Sequence, residues 1–363
     1  MSAGTLAHVL ARLDELEGPG AAERTARLEA RPDGRVHLEL HGGEGTRWYR
    51  WEQHALTRLD PFADPELPLV AGGAAGPPDP RRVLSWRPGR RIVLAGHGEA
   101  GADSVLKGWR RRRGTAAARA HRAGLVLAGD DSFRLAAVLE EDGPGDWVRF
   151  ERLEGRPLPI DRHEGELFFR LGSELRAFQD SRHGAGAGPL AQHGPSAELA
   201  LLDRLAARYR ALEGDPPPRW DATREELAKR ARQLEGLELR PCHRDLHDGQ
   251  LLVQGDGIAL LDLDLLCRAD ATLDPANFLA HLALRELQGV PGVDEESVLA
   301  CGQAFLEGLD RADATGFWRR LRYHQAASFL RLALVYGLRP RWSRLAPSLV
   351  DLAGRCLRQR HGD

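Results

Sequence analysis

Residues Cys242 to Asp264 read CHRDLHDGQLLVQGDGIALLDLD, the most informative segment of the chain. Within it, Gly255-Asp256-Gly257 separates two short apolar runs, LLV and IALL, and this pattern is a strong signal for a β-hairpin. Folding the chain at that turn brings Gln250 opposite the residues around Asp262. The stretch therefore predicts a hairpin whose open end carries polar side chains.

Four side chains can converge at the open end of this hairpin, namely Asp245, Gln250, Asp262 and Asp264. Carboxylates and a side-chain amide offer oxygen ligands, and hard divalent cations prefer oxygen. The sequence therefore predicts a carboxylate-rich cup that suits a divalent ion bound to phosphates.

Three linked motifs carry a resemblance to a known family. The loop reads HRDLHDGQ, the piece after the hairpin reads LDLD, and residues 269–280 read ADATLDPANFLA. Their order and spacing resemble the aminoglycoside phosphotransferase / choline kinase-like family, whose motifs are H-G-D-x-H-x-G-N, I-D-x-E/D and G-D-P-x-x-D-L-A. The chain departs from the family at Gln250, where Asn is usual, and at residues 269–271, where Ala-Asp-Ala replaces Gly-Asp-Pro. The resemblance covers the chain from Arg82 to its C-terminus.

The resemblance implies an α+β fold of the two-lobe protein-kinase-like kind, with a β-rich N-lobe and a mostly helical C-lobe. We expect an N-terminal helix, β-meander and linker over residues 1–80, the N-lobe over 81–154, and the C-lobe over 155–363. The implied activity is transfer of the γ-phosphate of ATP to a hydroxyl group of a small molecule, with Mg²⁺ as cofactor. The identity of the acceptor does not follow from the fold.

The resemblance also implies a role for each residue of the cup. Asp245 is the expected catalytic base, which orients the acceptor hydroxyl and accepts its proton. Asp262 is the expected main metal ligand, and the carbonyl oxygen of Gln250 is the second. Asp264 is either a further metal ligand or an exposed structural carboxylate.

Further residues of the motifs are expected to hold the loop and the following helix. Asp270 and Asp274 resemble the helix-anchoring acids of the family. Asp274 followed by Pro275 is typical of a helix start, with Asp at the N-cap and Pro at the first helical position. His243 is expected to hold the loop by hydrogen bonds.

Lys107 is the expected phosphate-binding residue of the N-lobe. The pattern after Arg82 predicts three strands, and the third, Ser104–Trp109, carries Lys107, where the resemblance requires a lysine directed at the nucleotide phosphates. The alternative is a solvated lysine on an edge strand. Lysine occurs only at Lys107 and Lys229 in this arginine-rich chain, which favours the specific role. The helix predicted over 114–127 contains no Glu to pair with it.

The resemblance places the other nucleotide contacts in a turn and at a hinge. Residues 87–91 form the predicted loop over the phosphates, in which Gly89 permits a tight turn and arginines such as Arg90 and Arg91 suit phosphate. The His97-Gly98 loop is the alternative. The hinge is expected at residues 150–153, where the backbone of Glu151 and Leu153 would meet adenine.

Composition excludes several classes of protein. The chain has 363 residues, 42% hydrophobic and 29% charged, with a net charge of −2, so nothing global indicates nucleic acid as a partner. No apolar run is long enough to span a bilayer, and the N-terminus does not have the pattern of a signal peptide. The four cysteines show no paired spacing, and we expect a reduced, cytoplasmic protein.

Hydrophobic periodicity predicts the remaining elements. Residues 60–80 are rich in Pro, Gly and Ala and are expected to form a loosely packed linker. Two further N-lobe strands are predicted over 134–139 and 147–153. C-lobe helices are predicted over 164–180, 197–212, 223–234, 274–287, 295–309, 317–336 and 345–359.

Two alternative functions remain open at this point. The first is a nucleotide-binding protein of the same fold with weak or no kinase activity, suggested by Gln250 and the missing helix Glu. The second is a metallohydrolase, because His243, Asp245, His247 and Asp248 are dense in metal ligands, with His281 and His324 as further candidates. That reading leaves Lys107 and the hairpin unexplained. The many arginines of the C-terminal helices favour a neutral or anionic acceptor over a polycationic one.

Overall fold

A computed structural model describes residues 5–31, 33–43, 45–96, 103–111, 113–184, 186–234, 239–311 and 316–359. The chain forms two compact units: the first comprises Met1–Asp60, Gly194–Gly236 and Arg322–Asp363, and the second comprises Pro61–His193 and Leu237–Leu321. These two units are defined by packing, and their boundaries differ from the predicted segments 1–80, 81–154 and 155–363. The division of the chain into those three segments remains a prediction. Every residue predicted for the site belongs to the second unit.

The first unit is built on an antiparallel four-stranded sheet in chain order. The strands are β1 (Thr25–Ala30), β2 (Val36–Gly42), β3 (Gly45–Glu52) and β4 (Ala55–Leu59), preceded by helix α1 (Thr5–Glu17). The β-meander was predicted, whereas β4 was not, because its side chains are mostly exposed and lack a clear apolar face. Leu13 of α1, Leu38 of β2 and Leu212 of a later helix share one core, and for this reason the unit is discontinuous in sequence.

Helices complete the first unit. They are α5 (Pro195–Glu213), α6 (Trp220–Ala231), α10 (Ala346–Arg358) and the part of α9 (Phe317–Gly337) that follows Leu321. Trp220 at the start of α6 is buried, and its indole N–H donates to the Leu330 carbonyl at 3.0 Å. This bond joins α6 to α9 within the unit.

The second unit begins with a five-stranded antiparallel sheet in the order β5-β6-β7-β9-β8. Its strands are β5 (Val83–Arg87), β6 (Arg91–Ala95), β7 (Ser104–Trp109), β8 (Val138–Glu141) and β9 (Trp147–Glu151), and helix α3 (Gly114–Ala128) follows β7. The strand predicted over 134–139 is wrong: the regular strand starts at Val138, and Arg134 makes an isolated parallel bridge to Ala259 instead.

Residues 61–80 are packed, and the prediction of a loose linker there is wrong. A short helix, α2 (Pro68–Ala71), buries Leu67 and Leu69. The contact with β7 is so close that a Cβ on Gly108 would lie 2.7 Å from the Leu69 side chain. Asp64 is buried and accepts hydrogen bonds from the Trp86 indole N–H at 3.0 Å and the Gly89 N–H at 2.6 Å. The apolar and hydrogen-bonding partners of this segment are distant in sequence, so its composition alone did not reveal them.

The hairpin predicted from the sequence is present. Its strands are β13 (Leu251–Gln254) and β14 (Gly257–Leu260), with Leu251 opposite Leu260. Gly255 has a φ of 55° and occupies the first central position of the two-residue turn, as in a type II′ turn. The residue before β13 therefore lies opposite the residue after β14, as predicted.

Small sheets and helices surround the hairpin. The hairpin pairs with β10 (Arg156–Pro157), and a second small sheet has the order β11 (Gln192–His193), β15 (Cys267–Asp270), β12 (Leu239–Cys242). The helices are α4 (Gly165–Gln179), α7 (Leu273–Leu287) and α8 (Glu295–Leu309). Leu251 and Ile258 of the hairpin share a core with Phe168, Phe278 and Phe305 of these helices, which fixes the hairpin on the helical layer.

Helix bounds agree with the sequence predictions to within a few residues, and α8 matches its predicted bounds. The predicted α+β class is confirmed. Among the described residues, no helix combines the length and the apolar character needed to cross a membrane.

Candidate functional site

Lys107 of the sheet contacts the two carboxylates that follow the hairpin. Its Nζ donates to Asp262 at 2.6 Å and to Asp264 at 2.5 Å. Lys107 is only 8% exposed, which contradicts the alternative of a solvated edge-strand lysine. The structure thus brings together three residues that the sequence predicted for one site.

Arg91 and Trp109 also contact these carboxylates. The sequence analysis included Arg91 only in the predicted phosphate loop, and it did not select Trp109. One terminal nitrogen of Arg91 lies 3.2 Å from Asp262 and 3.1 Å from Asp264, and the Trp109 indole N–H donates to Asp264 at 3.3 Å. Arg91 is opposite Trp109 in the β6–β7 ladder, as Val93 is opposite Lys107. Directly paired residues lie on one face of a sheet. The alternation of side chains along the strands could therefore have placed Arg91 on the face of Lys107, once the pairing of β6 with β7 was known.

Asp262 is held in an unusual environment. Burial by itself raises the pKa of its carboxyl group, but the charges of Lys107 and Arg91 outweigh burial and lower that pKa below its usual value. Its backbone has a φ of 57°, in the left-handed region that Asp adopts more readily than most residues. Backbone strain of this kind is often found at functional sites. The Asp262 carboxyl group is therefore ionised at neutral pH, and its contacts with Lys107 and Arg91 fix the orientation of the side chain.

The loop before the hairpin is fixed by a buried carboxylate. Asp274 of α7 is fully buried and accepts the backbone N–H groups of His243 and Arg244, each at 2.7 Å. Burial raises the pKa of Asp274, while His243 and the two N–H groups act in the opposite direction. A carboxylate that binds two backbone donors sets the position of the loop leading to Asp245.

The prediction that Asp274 is a helix N-cap is wrong. Helix α7 begins at Leu273 with Thr272 at the N-cap, and the Thr272 side chain makes no capping hydrogen bond. The Asp-Pro pair is compatible with a cap, but here the carboxylate binds the backbone of His243 and Arg244. Asp270 does contribute locally: it accepts from the Thr272 N–H and hydroxyl, both at 2.8 Å, and lies 3.2 Å from Arg320.

His243 links the loop to the hairpin. It is buried, and its Nε2 is 2.8 Å from the carbonyl oxygen of Leu261, the residue before Asp262. Its Nδ1 accepts the Asp245 N–H at 3.3 Å, so Nε2 carries the proton and donates. The expected structural role of His243 is consistent with both bonds.

Gln250 lies at the open end of the hairpin, as predicted. Its N–H donates to the His247 carbonyl and its carbonyl accepts from the Leu261 N–H, both at 2.9 Å. The backbone of Gln250 is thus fully engaged, and its side chain is the part that remains for a ligand.

The side chains present fit a hard divalent cation. The carboxylates of Asp262 and Asp264 lie within hydrogen-bonding distance of one ammonium group, so their oxygens converge on a common point. Gln250 lies at the open end of the same hairpin, and Asp245 lies on the loop before it. Oxygen-only donors of this kind suit Mg²⁺ or Ca²⁺ more than they suit zinc.

The predicted phosphate loop is a tight turn between β5 and β6. Gly89 has a φ of 63°, which requires glycine or a strained residue. Its N–H is bonded to Asp64, and the Arg90 N–H donates to the Arg87 carbonyl at 2.9 Å. The alternative loop at His97-Gly98 lies outside the described residues.

The predicted hinge, residues 150–153, begins within the end of β9. The Glu151 N–H donates to the Ala137 carbonyl at 2.9 Å, and the Glu151 carboxylate accepts the Ala137 N–H at 3.0 Å and pairs with Arg134. Leu153 packs against the cluster that contains Phe150. These contacts fix the position of the hinge beside the sheet.

Helix α3 presents a histidine, not a glutamate, near the Lys107 cluster. His121 is buried, and its Nε2 lies 2.6 Å from the Ala136 carbonyl. Burial lowers its pKa, and the nearby Lys107 acts in the same direction. The neutral ring packs against Phe150 at a centroid distance of 4.7 Å. The partners of Lys107 are therefore Asp262 and Asp264, and α3 provides none of them.

A second group of polar side chains lies next to the loop. His247, Asp248 and His281 offer ligand atoms within 4.8 Å of one another. Asp248 is held by Arg285 at 2.9 Å, and the Nδ1 of His247 accepts the Gly249 N–H at 3.0 Å. The two imidazole rings stack at 4.6 Å. His324, another candidate of the metallohydrolase reading, belongs to the other compact unit.

Three solved structures resemble this chain, at sequence identities that establish the fold alone. An amicoumacin kinase in complex with AMP-PNP and Ca²⁺ has a TM-score of 0.55 and 13% identity, covering 79% of this chain and 92% of its own. A glucosamine kinase has a TM-score of 0.50 and 18% identity, covering 95% of both chains. A choline/ethanolamine kinase family protein from Mesorhizobium loti has a TM-score of 0.50 and 14% identity, covering 74% of this chain and 85% of its own. The predicted protein-kinase-like fold is confirmed.

No curated protein matches the chain. The sequence model of the phosphotransferase enzyme family, APH, matches residues 90–324 of the 363. The match runs from the turn before β6 into α9 and contains Lys107, the loop, the hairpin and Asp274. The chain therefore belongs to the phosphotransferase enzyme family.

Proposed function

We propose that this protein transfers the γ-phosphate of ATP to a hydroxyl group of a small molecule. The observation that carries the proposal is the contact of Lys107 with Asp262 and Asp264. One buried lysine and two aspartate side chains form the combination that phosphoryl transfer requires: a cation for the phosphates and ligands for a divalent ion. The fold shared with kinases supports the same reaction class.

Asp245 is the proposed base. It follows the His243 and Arg244 backbone that Asp274 fixes, so its position is set before a substrate binds. Positioning of the acceptor hydroxyl and acceptance of its proton are the contributions we assign to this carboxylate. Phosphoryl transfer depends mainly on such positioning and on charge.

Asp262, Gln250 and Asp264 are the proposed ligands for Mg²⁺, which when bound neutralises charge on the phosphates. Lys107 is the proposed phosphate-binding lysine, and Gly89 and Arg90 form the proposed turn above the phosphates. Because the Gly89 N–H is bonded to Asp64, we assign this turn a steric role and assign the phosphate contact there to the Arg90 side chain.

The hinge at Glu151 and Leu153 is the proposed adenine site. The Glu151 N–H donates to the Ala137 carbonyl, so this N–H is not one of the groups we assign to adenine. Adenine recognition by backbone carbonyl and N–H groups requires no particular side chain. This assignment predicts tighter binding of ADP than of GDP.

The proposed acceptor is a neutral or anionic molecule with a free hydroxyl group. Near Asp245, the Asp248 carboxylate is paired with Arg285 at 2.9 Å, so this acid is not available as a separate anionic site for ammonium groups. Polycationic acceptors need several unpaired carboxylates. A sugar or another polyol can form hydrogen bonds with the loop around His247 without bringing excess charge.

A screen of hydroxyl-bearing metabolites with ATP and Mg²⁺, read by mass for a gain of one phosphate group, tests the proposal. We expect turnover of at least one neutral or anionic polyol by the wild-type protein and none by Asp245→Asn. Asp245→Asn retains Mg-ATP binding if Asp245 is the base. Turnover by Asp245→Asn at the wild-type rate would contradict the assignment.

A second candidate function is nucleotide binding with little or no phosphotransfer. It is favoured by one observation: α3 supplies no acidic partner for Lys107, which pairs with the proposed metal ligands instead. Calorimetric binding of Mg-ATP together with an absence of turnover across the full acceptor panel would favour this function. For either function, we propose a cytoplasmic location.

A further inference from the structure

Arg91 is placed on the functional face of the sheet by its register. It opposes Trp109 in the β6–β7 ladder, and Val93, two residues along β6, opposes Lys107. Arg91 and Lys107 therefore project from the same face, on adjacent strands. The Arg91 side chain is 19% exposed and the Lys107 side chain 10% exposed. Both cations are mostly withdrawn from water.

The contacts of Arg91 repeat those of Lys107. Each cation reaches both Asp262 and Asp264: Arg91 at 3.2 and 3.1 Å, and Lys107 at 2.6 and 2.5 Å. The group therefore contains two basic and two acidic side chains in mutual contact.

A divalent cation on these carboxylates changes that balance. The same oxygens cannot keep two cations at hydrogen-bonding distance and also coordinate a metal ion, because like charges repel strongly in a buried site. A buried guanidinium displaced from a carboxylate needs another anion. The phosphates of a nucleotide on that metal are the nearest anions the site can receive, and a guanidinium binds phosphate by paired hydrogen bonds.

We propose that Arg91 is a nucleotide phosphate-binding residue. It pairs with Asp262 and Asp264 before metal binds and transfers its hydrogen bonds to the phosphates when the carboxylates take up the metal ion. This inference rests on the proposed nucleotide-dependent function. With this assignment, β6 contributes a second phosphate-binding cation beside Lys107. Helix α3 contributes no acidic partner for Lys107.

Arg91→Gln in the full-length protein tests the inference, with Arg149→Gln as its matched control. Arg149 lies on β9 opposite Leu106, on the other face of the same sheet, with 21% side-chain exposure and an ion pair to Glu140 at 2.9 Å. Calorimetry measures the affinity for Mg-ADP and for adenosine, and electron paramagnetic resonance measures Mn²⁺ binding without nucleotide. Arg91→Lys retains the charge without the planar group.

The expected result has three parts. Arg91→Gln weakens Mg-ADP binding by roughly 10- to 100-fold, as for loss of a charged hydrogen bond, and leaves adenosine affinity unchanged. Without the competing cation, Asp262 and Asp264 bind Mn²⁺ several-fold more tightly. Arg91→Lys gives an intermediate ADP affinity, and Arg149→Gln matches the wild type in all three measurements.

Two outcomes would overturn the assignment alone. Equal or tighter Mg-ADP binding by Arg91→Gln would show that Arg91 is only a counter-ion of the carboxylates. Parallel loss of ADP and adenosine binding by both Arg91 variants would show that it holds the fold of the sheet. A wild-type protein that does not bind Mg-ADP would instead overturn the proposed function together with the assignment.

Discussion

Lys107 and Asp262 are 155 residues apart in sequence and 2.6 Å apart in the structure. Lys107 lies on the third strand of the five-stranded sheet, and Asp262 directly follows the hairpin that rests on the helices. Their contact joins the sheet to the helical part of the second compact unit. The proposed phosphate contact and the proposed metal ligand are therefore assembled by one ion pair.

Asp262→Asn is expected to weaken metal-dependent nucleotide binding. The substitution removes the negative charge that a divalent ion needs and also releases Lys107 and Arg91. We expect Mg-ADP affinity to fall by at least about 10-fold, the effect of losing one charged interaction in a buried site. Calorimetry with and without Mg²⁺ measures this change. Asp256→Asn, on the exposed turn of the same hairpin, is the control, and an equal loss in that variant would contradict the assignment.

Lys107→Ala is expected to lower kcat/KM by one to several orders of magnitude. A buried ammonium that contacts phosphates is lost, and water cannot replace it with the same geometry. Lys107→Arg should restore little, because a planar guanidinium does not replace a compact ammonium. Lys229→Ala, which changes the other lysine of the chain on the exposed face of α6, should leave kcat/KM unchanged. Full activity of Lys107→Ala would move the phosphate role to another residue.

Gln250→Asn is expected to retain or improve activity. Asn offers the same kind of carbonyl oxygen as Gln, and Asn is the residue that the family usually carries at this position. Steady-state kinetics with varied Mg²⁺ measures kcat and the apparent metal affinity. A collapse of kcat would show that this loop requires the longer side chain.

Asp274→Asn is expected to destabilise the loop that carries Asp245. An Asn amide has one oxygen, so it cannot replace the carboxylate in accepting both the His243 and Arg244 N–H groups. We expect a loss of roughly 1–3 kcal/mol of unfolding free energy, the cost of a buried unsatisfied donor, together with lower kcat. Denaturant unfolding and kinetics measure the two effects.

The control for that variant is Asp294→Asn. Asp294 caps α8 by accepting the Ser297 N–H at 2.8 Å, and Asn is as good an N-cap as Asp. We expect its unfolding free energy and its kcat to stay near wild type. Equal destabilisation by both variants would mean that Asp274 does no more than a helix cap.

Glu174→Gln is expected to stabilise the protein at neutral and higher pH. One carboxylate oxygen of Glu174 on α4 is buried without a hydrogen-bond partner in the described structure, and burial raises its pKa to about 7. An acid with a raised pKa in the folded state binds more protons when folded, so the unfolding free energy falls as pH rises from the unfolded pKa to about 7.

The wild-type unfolding free energy should therefore decline across that pH range, and Glu174→Gln should remove the decline. We expect a gain on the order of 1 kcal/mol at pH 8, because partial solvent access screens the effect. Denaturant unfolding at a series of pH values measures it. Glu166→Gln, an exposed acid of the same helix, is the control, and an equal gain there would contradict a specific role for burial of Glu174.

Local sequence patterns were sufficient to predict the hairpin, the family and the strand face on which Lys107 lies. The Gly-Asp-Gly turn between two apolar runs specified the hairpin, because a tight turn is a property of neighbouring residues. The exact register of the two strands came from the structure. Three motifs in order specified the family, and strand periodicity placed Lys107 on the same face as Trp109. These are short-range features that do not depend on how the elements pack.

Other features were decided by the tertiary structure alone. Arg91 meets Asp262 from 171 residues away, a contact set by how the sheet packs on the hairpin. The same holds for Asp274, whose Asp-Pro sequence indicated a cap while its carboxylate binds the backbone 30 residues earlier. A sequence pattern reports the conformation of its own segment, whereas the partner of a buried charge depends on which distant segment removes that charge from water.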